Sequence, residues 1–269
     1  MTVLDRLLQR RPEWVSVVSQ AADKALIVAN PPLARPPSPS GFQLELNLTS
    51  NGGVAVRESQ PASVFPPFCP ERHINPGGSF CIFYGSDAPL GDEDQEDRWW
   101  DALCIFLVNQ GYAERFGVWP LNSGLSHGEA ALDQVAMEAL AEPLGWTEEV
   151  LTSMFRATGW LSGQLPRISK DRKRVLNARS PCPRGCTLKH ALLRKRSCDI
   201  ENCAPGCRKQ HKPILRVDCP HRNTVEKLVL HEHSRRLIEV KFMSELKRGD
   251  YVCCGKMKHC LLRNDSAAD

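Results

Sequence analysis

Nine of the twelve cysteines fall between Cys182 and Cys260, while only Cys69, Cys81 and Cys104 precede residue 166. Charge steps at the same place. Residues 1–165 carry 10 Lys and Arg against 20 Asp and Glu, whereas residues 166–269 carry 25 against 11. A net charge that changes from −10 to +14 at one point marks a domain boundary. We therefore expect two domains, 1–165 and a basic, cysteine-rich 166–269. At 269 residues the chain is long enough for each to bury a core of its own.

The opening MTVLDRLLQRRPEW lacks the apolar core and small-residue cleavage site of a secretory signal. The longest uninterrupted apolar run, Ala102 to Val108, is far short of the roughly 20 residues that span a bilayer. These features predict a cytoplasmic protein with no membrane partner. In a reducing compartment, clustered thiols are not expected to form a disulfide framework, so metal ligation or redox chemistry is the more natural use.

Hydrophobic periodicity supplies the elements of the first domain. Val3, Leu4, Leu7 and Leu8 form one helical stripe. Strand-like runs follow at Val15–Val18 and Ala25–Ala29, then a proline-rich connection from Asn30 to Gly41. Phe42, Leu44, Leu46 and Leu48 alternate strictly with polar residues and read as a half-buried strand. The turn Asn51-Gly52-Gly53 joins it to a short strand at Val54–Arg57. Pro61 to Pro70 is proline-broken. Helical patterns then cover Arg98–Phe116, 128–141 and 147–158, the last opening with Thr147 and Glu149 in the style of a cap. Beyond the basic run Lys170–Arg174, the segments Ile214–Val217, Val225–Leu230, Leu237–Phe242 and Tyr251–Cys254 read as strands.

The most informative stretch is Cys69-Pro-Glu-Arg-His73-Ile74-Asn75-Pro76-Gly77-Gly78-Ser79-Phe80-Cys81-Ile82. It is followed by an acidic loop, Trp99-Trp100 opening an amphipathic helix, and Trp119-Pro120. In this order of parts the sequence resembles the ubiquitin-conjugating enzymes. That family has a strand meander, a proline-rich passage, a His-Pro-Asn tripeptide, a glycine-bearing turn, a catalytic cysteine and a tryptophan at a helix start. The bacterial branch, some of whose members carry a cysteine-rich C-terminal extension, is the most similar. Ile74 stands where the family has proline, and the eight residues from His73 to Cys81 are slightly fewer than in the eukaryotic enzymes. The acidic insertion 85–97 is longer than in most members.

The resemblance implies an α+β, ubiquitin-conjugating-like (UBC-like) fold: an N-terminal helix, an antiparallel meander, a catalytic-cysteine loop and C-terminal helices. After it would come a small, zinc-stapled, β-containing domain. Cys81 would carry an acyl group as a thioester, since a thiolate is both a strong nucleophile and a good leaving group. Asn75 would donate its amide to the developing oxyanion, and His73 would brace the loop. Asp87, Asp92 and Asp94 are candidates for orienting an incoming lysine. Implied partners are an adenylating activating enzyme, a ubiquitin-like modifier or other tagged protein, and a JAB-type deconjugating peptidase. Bacterial relatives commonly occur in anti-phage defence operons. The rival reading of Cys81, between Phe80 and Ile82, is a buried core thiol, in which case the fold serves as a catalytically inactive adaptor. Cys104 and His127 are expected to be a core thiol and a turn histidine.

The cysteine-rich end has the spacings Cys182-x₃-Cys186, Cys198-x₄-Cys203-x₃-Cys207-x₃-His211 and Cys219-x-His221, with Cys253-Cys254, His259 and Cys260 far downstream. Short loops of this kind suit tetrahedral zinc, and a small basic region with few aromatics needs a staple. Cys182, Cys186, Cys198, Cys203, Cys207 and Cys219 are the expected ligands, although no pair has standard finger spacing. A set of unligated thiols is the alternative. The basic charge also raises a third class, a zinc-dependent nucleic-acid-binding protein. Few aromatics interleave for base stacking, and docking onto an acidic protein surface is the competing use of the same charge.

Overall fold

The structure, a computed structural model, describes residues 1–34, 41–85, 89–176, 221–258, 260 and 262–263. The chain forms two compact units, one of residues 1–125 with 245–269 and one of residues 126–244.

In the first unit, α1 (Val3–Gln9) opens with a capping box. Thr2 accepts from the Asp5 amide, and its own amide donates to the Asp5 carboxylate. The expected stripe buries Leu4, Leu7 and Leu8. Strands β1 (Val15–Gln20), β2 (Lys24–Ala29), β3 (Phe42–Leu48) and β4 (Val54–Glu58) pair in sequence order as one antiparallel sheet. Alternation along β3 puts Phe42, Leu44 and Leu46 in the core. The opposite face buries Glu45, whose carboxylate binds Lys24 and Arg57 at 2.6 Å each from the flanking strands. A short 3₁₀ turn (Pro70–Arg72) precedes α2 (Glu93–Phe116), whose apolar face presents Trp99, Trp100, Leu103, Phe106 and Leu107 to the core. Trp100 also donates to the Leu7 carbonyl at 2.9 Å, fixing α1 against α2.

Helix α2 begins within the stretch read as an acidic loop. Asp92 caps it, accepting from the Gln95 amide at 2.8 Å. Glu96 is buried against Arg6 at 2.8 Å, and Glu93 and Asp97 hold Arg10. Carboxylates suit the first turn of a helix because its unpaired amides carry partial positive charge.

The second unit contains α3 (Ala130–Ala141), α4 (Thr147–Phe155) and most of α5 (Arg222–Arg248), whose residues from 245 on group with the first unit. Trp146 rather than Thr147 stands at the N-cap of α4, without a side-chain cap bond. Met137, Ala141, Trp146, Val150, Leu161, Val225, Leu228 and Val229 form its core. The division at 165 expected from charge falls inside this unit, because the helices before and after it share that core. The strands expected at Val225–Leu230 and Leu237–Phe242 are instead parts of α5. Its buried positions 225, 228, 229, 232 and 235 follow helical spacing, which short apolar windows disguise when some of the buried residues are charged. Tyr251–Cys254 has no regular structure, and Ile214–Val217 lies outside the described residues. Among the described residues the second unit is helical, with one isolated bridge, Ile168 to Val175.

Candidate active site

The site is a tight reversal of the chain hung on the edge of the sheet. Phe80 is drawn into the core by stacking on Phe106 at 4.7 Å and by the edge of Phe65 at 5.5 Å. Its amide donates to the Val56 carbonyl at 2.8 Å, and Ser79 bridges Arg57, so this segment continues the pairing beyond β4. Ile74 lies opposite Phe80. On either side of that pair, the Asn75 amide donates to the Ser79 carbonyl and the Cys81 amide to the His73 carbonyl, both at 2.8 Å. Pro76-Gly77-Gly78 makes the reversal, closed by the Gly78 amide on the Asn75 carbonyl at 2.9 Å. Gly77 and Gly78 have φ of 85° and 82°, left-handed values that strain any residue with a Cβ.

Side chains alternate across this ladder. Ile74 and Phe80 are buried, which leaves exposed Asn75 and half-buried Cys81 on the other face. Asn75 is opposite Ser79 and therefore diagonal to Cys81, a relation that spans about 7 Å between backbones. Among the described residues, the Asn75 amide nitrogen makes a long bond, 3.4 Å, to the Ser79 hydroxyl. The Cys81 sulfur lies 3.9 Å from the Phe83 carbonyl. Of the acidic candidates, Asp92 is taken up by the α2 cap, Asp94 is exposed, and Asp87 lies outside the described residues.

His73 is buried with φ of 55°, and its ring meets Trp119 edge-on at 4.9 Å. Trp119 is itself fixed by its indole bond to the Ser123 carbonyl at 2.8 Å. The neighbouring Arg72 had no distinguishing signal in the sequence, yet it clamps the loop to α2. It is almost wholly buried and donates to Gln110 at 2.7 Å and Glu114 at 2.8 Å, while Gln110 donates back to the Arg72 carbonyl at 2.8 Å. The spacing of Gln110 and Glu114, one helical turn apart, is the only trace this clamp leaves in the sequence. Beside the reversal a cavity of about 310 Å³ is lined by Pro66, Phe68, Pro76, Gly77, Gly78 and Tyr251, among others.

Cys69, at the start of the loop, is buried with its sulfur 3.3 Å from that of Cys254. Burial and the neighbouring Cys254 push its thiol upward, and burial with Cys253 nearby pushes Cys260 up to about 12. Cys104 is half-buried on α2, its thiol raised by burial and by Asp101. In the second unit, the His127 ring and amide both bind Glu239, at 2.9 Å and 2.8 Å, and the ring stacks on Phe242. Burial opposes ionisation of Glu239, yet His127 and Arg235 hold it below the usual carboxylate range. The expected zinc ligands Cys182, Cys186, Cys198, Cys203, Cys207 and Cys219 all lie outside the described residues, as do His211 and the rest of 177–220.

Residues 14–121 match the family model of a prokaryotic E2 domain, and residues 126–262 match that of a cysteine-rich domain C-terminal to an E2 domain. The chain belongs to the family of cysteine-rich domains that lie C-terminal to an E2 domain, and residues 14–121 are similar to the prokaryotic E2 domain itself. The two matched regions meet between residues 121 and 126, and the hairpin of Asn75 and Cys81 lies within the first. No curated protein and no solved structure matches the chain. The similarity of residues 14–121 to a prokaryotic E2 domain supports an E2-like conjugating function in general, which implies an activating enzyme and a modifier. Among the described residues, no helix is long and apolar enough to cross a membrane.

Proposed function

We propose that Cys81 is a thioester carrier that receives the activated C-terminus of a ubiquitin-like modifier, or of another tagged protein, and passes it to an amine. In the first step the Cys81 thiolate attacks the thioester carbonyl carbon held by an adenylating activating enzyme. A new C–S bond forms, and the activating enzyme's thiolate leaves. In the second step an amine attacks the same carbon, the bond to Cys81 breaks with its electrons on sulfur, and the nitrogen loses a proton to solvent. Both steps pass through an oxyanion beside the sulfur.

The observation that carries this reading is the 73–81 reversal, which sets a primary amide and a half-buried thiol on one face. The long bond from Asn75 to Ser79 is one that the amide can exchange for a developing oxyanion. His73 and Arg72 act as positioning residues. One holds the loop against Trp119 and the other against α2. A JAB-type peptidase that removes the modifier, and a setting in anti-phage defence, remain part of this proposal through the family resemblance alone.

The test is non-reducing electrophoresis after incubation with the candidate activating enzyme, ATP and modifier. A shifted band that collapses with reductant and is absent in Cys81→Ala is expected, and Cys81→Ser should hold a reductant-stable ester. No shift with an activating enzyme shown to charge itself would overturn the proposal in favour of an adaptor.

A further inference from the structure

The first unit is completed from far along the chain. Residues after α5 return to it, although the match to the prokaryotic E2 domain ends at residue 121 and this later segment falls within the match to the cysteine-rich domain. Four contacts fasten the segment in order of sequence. The Tyr251 ring meets Phe68 at 4.7 Å, and the Cys254 sulfur lies 3.3 Å from that of Cys69. The Lys256 ammonium then binds Glu114 at 2.6 Å, and the Lys258 amide donates to the Gly117 carbonyl at 2.8 Å. Two of these anchors lie on the loop that leads into the 73–81 reversal, and two lie at the end of α2. We propose that this segment is a strap that sets the nucleophile loop, with Lys256 a positioning residue for acyl transfer that acts through Glu114 and Arg72. The proposal rests on the reading of Cys81 as a thioester carrier.

Glu114 is the joint. One of its oxygens takes Lys256 at 2.6 Å and the other takes Arg72 at 2.8 Å. Lys256 foremost, with Arg72, holds this carboxylate below its ordinary range against its partial burial, so it stays charged near neutral pH. Glu114 and Lys256 are each half exposed, whereas Arg72 is almost wholly buried. A half-exposed carboxylate has several open rotamers, and a cation on one oxygen selects the rotamer whose other oxygen meets the buried guanidinium. From Arg72 the path to the thiol is short. Arg72 precedes His73, whose carbonyl accepts from the Cys81 amide at 2.8 Å. The Arg72 amide also donates to the Cys69 carbonyl at 3.1 Å, and Cys69 exchanges both backbone bonds with Ile74, at 3.1 Å and 3.0 Å. A displaced Arg72 would therefore carry His73 with it and change the spacing of Asn75 and Cys81.

Glycine stands where the strap passes closest. A Cβ at Gly117 would lie 3.1 Å from the Lys256 carbonyl and 3.2 Å from the Lys258 side chain. At Gly249, which has no left-handed φ, a Cβ would meet the Tyr251 ring at 2.9 Å. The energetics favour positioning over support. An ion pair between half-exposed side chains adds little to folding, whereas a small displacement of reacting groups is felt strongly in rate.

The test uses the full chain, charged at Cys81 with the candidate modifier and then discharged to free lysine in a single turnover. Lys256→Ala should lower the maximal discharge rate about tenfold, and Lys256→Arg should restore most of it. The lysine concentration that gives half the maximal rate, and the melting temperature, should stay close to wild type. Lys256→Ala/Glu114→Gln should be no slower than Glu114→Gln alone, because both changes act through one carboxylate. Hydrogen exchange followed by mass spectrometry needs no activity: peptides spanning 69–81 should exchange faster in Lys256→Ala, and those spanning β3 and β4 should not change. A full discharge rate in Lys256→Ala, a loss that adds to that of Glu114→Gln, or unchanged exchange over 69–81 would each overturn the proposal. A wild-type chain that takes no modifier from an activating enzyme able to charge itself would overturn the carrier reading instead, and the exchange measurement would still decide whether Lys256 holds the loop.

Discussion

The two units bury different things. The first closes around apolar and aromatic side chains, with Phe42 against Phe65, Phe65 against Phe80 and Phe80 against Phe106. The second places Glu232 and Arg235 on the same helix as Val225, Leu228 and Val229, with both charged residues buried as well. Glu232 binds Arg235 at 2.7 Å and 3.0 Å and Arg236 at 2.7 Å, while Arg235 reaches Ser126 and Arg236 reaches the Leu161 and Gly163 carbonyls. An apolar core tolerates the loss of any one contact in proportion to area. A buried charge network fails more sharply, because removing one member strands the others without water.

That contrast predicts its largest effect at Glu232. Glu232→Ala should cost about 3–5 kcal/mol, because it leaves Arg235 buried with only the distant Glu239 carboxylate, 3.8 Å away. The measurement is denaturant unfolding followed by helix signal, and a loss below about 1 kcal/mol would mean that apolar packing alone holds the second unit. Next comes the exposed turn of the first unit. Asn75→Ala should slow acyl discharge by about 10²–10³, roughly 3 kcal/mol of barrier, while leaving the melting temperature close to wild type. A matching drop in stability would show that the turn is structural rather than chemical.

The smallest effect should come at Glu45, a charge buried in the first unit whose partners are open to solvent. Burial opposes its ionisation, but Lys24, Asn47 and Arg57 lower it to about 2. Its stabilisation is therefore present above the ordinary carboxylate value, near 4.5, and is lost as pH falls from there toward 2. Glu45→Gln should flatten that acid limb and cost about 1 kcal/mol at neutral pH, since Lys24 and Arg57 are half exposed and screened. An unchanged acid limb would remove Glu45 from the contrast.

The same contrast explains what was legible in the sequence. The alternation of Phe42, Leu44 and Leu46 gives β3 directly, and the stripe Leu4, Leu7 and Leu8 gives α1, because apolar burial writes its period into the residues. Pro76-Gly77-Gly78 announces a reversal since few other sequences adopt those angles. Helix α5 was hidden because part of its buried face is charged, so its apolar fragments, rich in valine and leucine, read as strands. Glu93, Glu96 and Asp97 looked like a loop because acidic runs say nothing of the arginines that will meet them. Arg72 and the pairing of Cys69 with Cys254 were not legible at all. Both depend on partners 38 to 185 residues away, and a chain records such contacts only through its fold.

The first unit is discontinuous, and this sets a schedule for its birth on the ribosome. Residues 1–125 emerge as a sheet and helix with Cys69 still lacking Cys254, and the stretch that completes them begins only at residue 245. At about 5–20 residues per second, the wait between the two is on the order of ten seconds. During that interval Lys256 has not yet joined Glu114, the carboxylate that also holds Arg72 beside the Asn75–Cys81 hairpin. A nascent chain would thus present Cys81 on an unfinished support, and only a chain translated past Lys256 would hold it on the completed one.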